Sequence, residues 1–353
     1  MIPRRHSLID DTAAVLRQRL DQGDWNGHLP GEWELSAILQ VGRNTLRSAL
    51  RQLEEEGRLL RRNGARREIL QQPTHQMLQR RAVLLMARPE SDYPPSTAVL
   101  IQELRHQLQA RDWTLRILVE PAAYRRRPDA FLQSLTATHS DVVWILHRST
   151  PALQQWFQNQ NLPVVLAGLP HAGITLPHVA IHLRAVGRHA AGRFIARGHH
   201  RLAVLRPDLP LAGDVECVQA FREAAPAAEV HDWRCQAGPD GVISLLRHHL
   251  RGSNPVTGLL ILHPEHCVTA LSWLMSAGIR VPDQLSLICC ADEPYLSFLH
   301  PEPARYRHSA RSFSRRLTET VLRYPSGTRI KTATSLITPH AVPGGTLCKA
   351  PVL

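Results

Sequence analysis

Val41-Gly42-Arg43-Asn44-Thr45-Leu46-Arg47-Ser48-Ala49-Leu50-Arg51-Gln52-Leu53-Glu54-Glu55-Glu56-Gly57 is the stretch on which the N-terminal fold turns. Arg43, Arg47 and Arg51 recur every four residues, which on a helix aligns three guanidinium groups in one stripe. Leu46, Ala49, Leu50 and Leu53 form a second stripe that can pack on neighbouring helices. A helix anchored along one side and cationic along another suits the major groove of DNA. Its first turn, Arg43, Asn44 and Thr45, offers groups that reach base edges and phosphates.

Working outward, Leu8, Ile9, Thr12, Val15, Leu16 and Leu20 predict a first helix that Gly23 can end. Leu35, Ile38 and Leu39 predict a short second helix after Pro30. Downstream, Asn63-Gly64 separates two short strand-like runs and predicts a tight hairpin, because both turn residues must take positive φ. The hairpin carries Arg61, Arg62, Arg66 and Arg67, expected along a DNA backbone or minor groove. Residues 1–70 therefore read as a DNA-binding domain of three helices and a hairpin, and the polar, proline-containing stretch 71–80 as a linker.

The net charge of +12 favours polyanionic partners only weakly, since 40 of the 42 basic residues are arginine, a bias that genome composition can produce. Location says more than the total. Positions 43–67 hold eight Arg against three Glu, so the cationic cluster coincides with the helix and hairpin.

From residue 81 apolar runs alternate with amphipathic stretches. The strand candidates are Ala82–Ala87, Leu115–Val119, Val142–Leu146, Val164–Ala167, Leu202–Leu205, Glu229–Trp233, Gly258–Leu262 and Leu285–Cys290, with helices between most of them. Such alternation predicts an α/β fold of parallel sheets and crossover helices, here two lobes over 81–345. Gly198 and Gly278 each follow a helix and precede a strand, where a left-handed C-cap is wanted. Ligands in such folds bind at the carboxyl ends of strands.

The N-terminal stretches LPGEWELS (29–36), VGRNTLRSALRQLEEEG (41–57) and RLLRRNGARREIL (58–70) resemble, in order and spacing, the winged helix-turn-helix of the GntR family. The resemblance implies DNA contacts from Arg43, Asn44 and Arg47 and a wing tip at Gly64. It also marks departures. Trp33 stands where the family usually has Arg, and Gly31 and Gly42 replace two serine N-caps. The C-terminal stretches IARGHHRLAVL (195–205) and AGIRVPDQLSLI (277–288), with Ala291-Asp292-Glu293, are similar to the LacI/GalR effector domain, which is related to periplasmic sugar-binding proteins. The combination is similar to the AraR-like regulators. It implies a transcription regulator, acting as a repressor, that binds a double-stranded operator as a homodimer and answers to a small molecule. The alternative is a small-molecule-binding module with weakened or lost DNA binding.

The resemblance leaves the ligand open. Arg184 and His263 occupy positions where the family often presents Asp or Asn-Asp, while Asp292 keeps the usual carboxylate. Trp144, His147 and Arg148, at the end of another strand, can supply an aromatic platform and a guanidinium. Trp144, Arg148, Arg184, His263 and Asp292 are thus the candidate ligand residues. A sugar, an acidic or aromatic compound, or no effector at all are the open choices.

Other chemistries find little purchase. The chain has no P-loop, GxGxxG or GxSxG motif, and no enzyme or cofactor is expected. The six cysteines form no CxxC pair. His263, His266 and Cys267 are zinc-donor types at close spacing, but read more simply as a pocket rim, and no metal is expected. No apolar run is long enough to span a membrane and the N-terminus lacks an apolar leader core, so a cytoplasmic location is expected.

Overall fold

A computed structural model describes residues 8–22, 24–25, 27–60, 66–70, 80–139, 141–209, 211–250, 255–324 and 333–351. The chain divides into two units, residues 1–79 and 80–353.

The first unit contains α1 (Leu8–Gln22), α2 (Glu32–Leu39) and α3 (Arg43–Glu55), then the antiparallel pair β1 (Leu59–Leu60) and β2 (Glu68–Ile69). Leu46, Ala49, Leu50 and Leu53 of α3 are fully buried against Ala13, Leu16, Leu29, Leu35 and Leu59, so the second stripe is the anchor. Gln40 takes a left-handed conformation after α2, and its neighbour Val41 donates back to the Ser36 carbonyl. That turns the chain sharply from α2 into α3. The segment 27–29 also joins the hairpin: Leu29 N–H donates to Arg67 O, and Ile69 N–H to Gly27 O. A two-residue Asn63-Gly64 turn would place Leu60 opposite Arg67. The observed partner is Glu68, one residue out. The turn itself lies outside the described residues, as do Arg61 and Arg62.

The second unit runs β3 (Arg80–Met86), α4 (Pro95–Gln109), β4 (Trp113–Val119), α5 (Asp129–Ala137), β5 (Val142–His147), α6 (Pro151–Gln160), β6 (Val164–Ala167) and β7 (His178–Ile181). It continues with α7 (Leu183–Ile195), β8 (Arg201–Pro207), α8 (Ala212–Ala224), β9 (Glu229–Cys235), α9 (Pro239–Leu250), β10 (Gly258–Ile261), α10 (Pro264–Ser276) and β11 (Ser286–Cys289). It ends with β12 (Ala304–Arg307), α11 (Ala310–Val321), β13 (Thr334–Ile337) and β14 (His340–Val342).

Two six-stranded sheets result, in the orders β13-β7-β6-β5-β3-β4 and β14-β12-β11-β10-β8-β9, parallel throughout except for β14. The central strands are apolar on both faces because helices cover both, which is why they read as continuous runs. Each sheet is the floor of one lobe. The chain passes between lobes after β7, after β12 and after β13, since α11 packs with α4 in the first lobe core and α7 with α8 in the second. Three connections at one end leave the strand carboxyl ends of the two lobes facing each other.

Gly198 and Gly278 do have left-handed φ of 80° and 72°. Two boundaries shift. Arg80, placed in the linker from sequence, is the first residue of β3. Beyond residue 345, Thr346 and Cys348 still bond to the lobe: Leu287 N–H donates to Thr346 O, and Cys348 N–H to the Ser286 hydroxyl. The second lobe therefore extends past its expected end.

Candidate functional site

The first candidate surface is the start and outer face of α3. Arg43, Asn44, Arg47 and Arg51 are exposed and Thr45 half-buried. Gly42 caps the helix without a side-chain hydrogen bond, and the first turn has no acidic residue. The free N–H groups of that turn and the Arg43 guanidinium are thus all positive and all open, the condition under which a helix start takes a phosphate. Gly31 likewise leaves α2 without a side-chain cap. Gly42→Ser should raise the stability of this unit by a few tenths of a kcal/mol, measured by urea denaturation; an unchanged midpoint would mean the cap geometry is wrong.

The arginines of this surface are not equivalent. Arg43, Arg51 and Arg66 meet no carboxylate among the described residues. Arg47 donates to Glu32 at 2.7 Å. Arg67 donates to Glu54 at 2.5 Å and to Glu32 at 2.9 Å, and its side chain is only 9% exposed. The two guanidiniums, Arg47 first, hold the Glu32 carboxyl below its usual pKa range. Arg67 is therefore corrected from a DNA contact to a strut that ties the hairpin to the start of α2 and the end of α3. Its neighbour Arg66 faces solvent. Arg62 and Gly64, expected at the wing tip, lie outside the described residues. Trp33 is 74% exposed on α2, one residue after Glu32, an apolar area left open beside the cationic surface.

The second candidate is a cleft of about 880 Å³ between the strand ends of the two lobes. Arg88 and Tyr93 follow β3, Arg148 and Thr150 follow β5, Asp208 and Leu209 follow β8, and Gln236 follows β9. His263 precedes α10, which contributes Glu265, His266 and Thr269, and Tyr295 follows β11. The two guanidiniums that the first lobe gives to the cleft sit at the Tyr93 ring, Arg88 at 4.7 Å and Arg148 at 6.0 Å from its centre. Arg148 holds a φ of +47°, uncommon for a residue with a Cβ, which turns it out of the strand and toward the second lobe.

A buried relay crosses the cleft floor. Arg148 Nη2 lies 3.3 Å from His263 Nδ1, and His263 Nε2 lies 3.0 Å from an Asp214 carboxylate oxygen. Nε2–H donates to Asp214, while Nδ1 faces Arg148 on one side and Glu265 Oε1 at 3.6 Å on the other. Burial opposes charge on His263, yet the Asp214 carboxylate and its hydrogen bond hold the imidazole above its usual pKa. A second link joins the lobes where Ser96, in the first turn of α4, donates its backbone N–H and hydroxyl to the Glu293 carboxylate.

Of the five ligand residues expected from sequence, Arg148 and His263 line this cleft. The other three are corrected. Trp144 is 1% exposed and packs at 5.5 Å on Phe157 in the first lobe core, because every face of a central parallel strand is covered. Arg184 lies on α7 and is ion-paired to Glu223 of α8. Asp292 accepts from Arg305 and Arg307 and braces β12. Cys267, weighed as a zinc donor, is buried in the second lobe core. Sequence reasoning missed Arg88, Tyr93, Asp208, Asp214 and Gln236. A signal existed for the first two: both lie in the segment Arg88–Pro95, which carries three prolines directly after a strand end. None existed for Asp214, whose partner stands 49 residues away.

Residues 8–69 match the gntR family of bacterial regulatory proteins, and residues 191–347 match the periplasmic binding protein-like domain. Over 179 residues the chain is 28% identical to the HTH-type transcriptional regulator CelR of Thermobifida fusca, covering 48% of this chain and 52% of that protein. The chain thus spans about half the length of that relative. A solved transcriptional regulator CelR–cellobiose complex covers 90% of this chain and 100% of its own with a TM-score of 0.65 at 18% identity. A LacI family transcriptional regulator from Enterococcus faecalis V583 with bound ribose covers 76% of this chain and 99% of its own, with a TM-score of 0.64 at 13% identity. At such identities the likeness speaks for the fold. No helix among the described residues is long and apolar enough to cross a membrane.

Proposed function

The chain joins a gntR-family DNA-binding module to a periplasmic binding protein-like domain, and on that basis we propose that it is a transcription regulator whose operator affinity is set by a small molecule in the cleft. The observation that carries this reading is one chain holding both parts. An anchored helix presents Arg43, Asn44, Arg47 and Arg51 outward, and a two-lobed cleft holds polar groups at seven strand ends. A ligand that touches both lobes favours one lobe separation over another. Linkage then requires ligand and operator to change each other's affinity by the same factor.

The regulator works as a homodimer on a pseudo-palindromic double-stranded site in the cytoplasm, since one short recognition helix reads too few base pairs for specificity alone. Repression is the simpler sign of action, because occupying a promoter needs no contact with polymerase. Arg43, Asn44, Thr45, Arg47, Arg51 and Arg66 are the proposed DNA contacts.

The test is fluorescence anisotropy of full-length protein with DNA from upstream of its own gene, across a salt series. Tight binding over scrambled DNA, falling steeply with salt, supports the reading. Arg43→Ala with Arg47→Ala should cost tenfold or more in affinity and flatten the salt dependence. An unchanged affinity would remove α3 as the recognition helix. One feature favours the second reading, a ligand module with weakened DNA binding. Arg47 is already held by Glu32, so this guanidinium must leave its partner to reach DNA. Equal weak binding to both DNAs would support that reading instead.

A further inference from the structure

We propose that the cleft ligand is a polyhydroxylated anion, a sugar-like compound whose carboxylate or phosphate is held by Arg88 and Arg148 and whose hydroxyls are held by Asp208, Gln236 and Glu265. This inference rests on the regulator reading only in placing the effector in that cleft.

Two buried arginines of this unit have carboxylates. Arg206 is bidentate to Asp232, with both contacts at 2.8 Å, and Arg305 is held by Asp292 and Glu302. Arg88 and Arg148 are different. Neither stands within ion-pair distance of a carboxylate among the described residues, Asp92 on the cleft lip included. Their contacts are the Tyr93 face and, for Arg148, the His263 ring. Arg148, half-buried, has lost part of its water and gained no opposite charge, and exposed Arg88 stands beside it on the same ring; an anion answers both with charge-assisted, often bidentate hydrogen bonds.

Two further observations point to the same corner. The left-handed φ of Arg148 is strain that directs this side chain into the cleft, where it serves no ion pair of the protein's own. Beneath it, His147 has a buried Nδ1 with no hydrogen-bond partner. Burial and the adjacent Arg148 and Arg88 push that imidazole down to about 3, so it adds no charge of its own and the field there is that of the guanidiniums.

The opposite wall has the reverse character. Asp208 follows β8, Gln236 follows β9 and Glu265 opens α10 after β10. These strands are neighbours in the order β10-β8-β9, so the acceptors are spread over roughly 10 Å instead of converging on a point. Two carboxylates repel a second negative group but accept from hydroxyls. Spread acceptors match hydroxyls along a carbon chain better than a single ammonium, which needs its acceptors gathered around one nitrogen. One anionic end and several hydroxyls is the ligand that satisfies both walls.

The experiment is isothermal titration calorimetry of the full-length protein. The probes are D-gluconate, D-glucuronate and D-glucose 6-phosphate, with D-glucose and D-glucitol as neutral counterparts and L-glutamate as a zwitterion. Saturable binding of at least one of the three sugar anions is expected, at least tenfold tighter than the neutral compounds, and which one binds separates the carboxylate from the phosphate source. Arg148→Ala should weaken that anion tenfold or more. Arg88→Ala, at an exposed position with no structural partner beyond Tyr93, should do the same in a fold that is not at risk. Binding of D-glucose or L-glutamate that ignores both variants overturns the proposal, and so does the absence of saturable binding by all three anions. Operator anisotropy on the same samples separates the two readings. A chain that holds its operator but ignores the anions loses this inference alone. A chain that binds an anion with no change in operator affinity keeps the inference and loses the regulation.

Discussion

Arg67→Ala should lower the stability of the N-terminal unit by about 2–3 kcal/mol, while Arg66→Ala leaves stability unchanged and lowers DNA affinity. The two arginines are adjacent, both lie on the hairpin, and sequence alone gives them the same role. Arg67 is the one that two carboxylates hold, Glu54 from the end of α3 and Glu32 from the start of α2. Removing it leaves those two acids close together and partly buried, and frees the hairpin from the helices. The acids are each about a quarter exposed, which places the cost toward the lower end of what breaking a buried pair incurs. Urea denaturation and operator anisotropy of both variants check this. Equal loss of affinity without loss of stability in both would return Arg67 to the DNA contacts.

Acidification from pH 7 to pH 5 should destabilise the C-terminal unit by about 3–4 kcal/mol through two histidines alone. His147 is pushed down to about 3, by burial and then by Arg148 and Arg88. His266 is pushed down to about 4, by burial and then by His263. In the unfolded chain both return to 6.5. The unfolded state therefore binds more protons below that value. The stabilisation is complete above about 6.5 and is lost as pH falls from there toward each folded value, about 2 kcal/mol for each group by pH 5. His263 opposes a small part of this, regaining on acidification what it has lost by pH 7. Its folded pKa is raised, so its contribution is whole below 6.5 and fades only as pH rises through the folded value. Chemical denaturation followed through tryptophan fluorescence at pH 7, 6 and 5 measures the slope, and His147→Phe should remove about half of it. A flat profile over this range would mean that these imidazoles carry protons in the fold.

Much of the fold is written locally. The apolar spacing of Leu46, Ala49, Leu50 and Leu53 is enough to define α3 and its buried side, because the helical period is a property of neighbouring residues. The runs at 142–146, 164–167 and 258–262 are strands for a related reason, since a parallel strand covered on both faces needs apolar residues at every position. What went unread lies at the C-terminal end. α11 is amphipathic, with Phe313, Leu317 and Val321 inward, but it belongs to the first lobe, more than 100 residues after that lobe's previous helix in the chain. The short strands β12, β13 and β14 have mixed patterns of three or four residues, below the length at which alternation is legible.

The sites divide along the same line. By itself the sequence determined that a cationic helix start, Arg43 to Arg47, opens outward from an apolar stripe, and that Arg148 stands at a strand end. These depend on spacing within one element. Tertiary structure alone decided which charged side chains were already spoken for. Arg67 meets partners 13 and 35 residues away, His263 meets Asp214 across 49, and Arg148 meets His263 across 115. A guanidinium is the same group in every sequence context. Whether it remains available to a ligand depends on which carboxylates the fold brings within about 4 Å, and no local pattern carries that information.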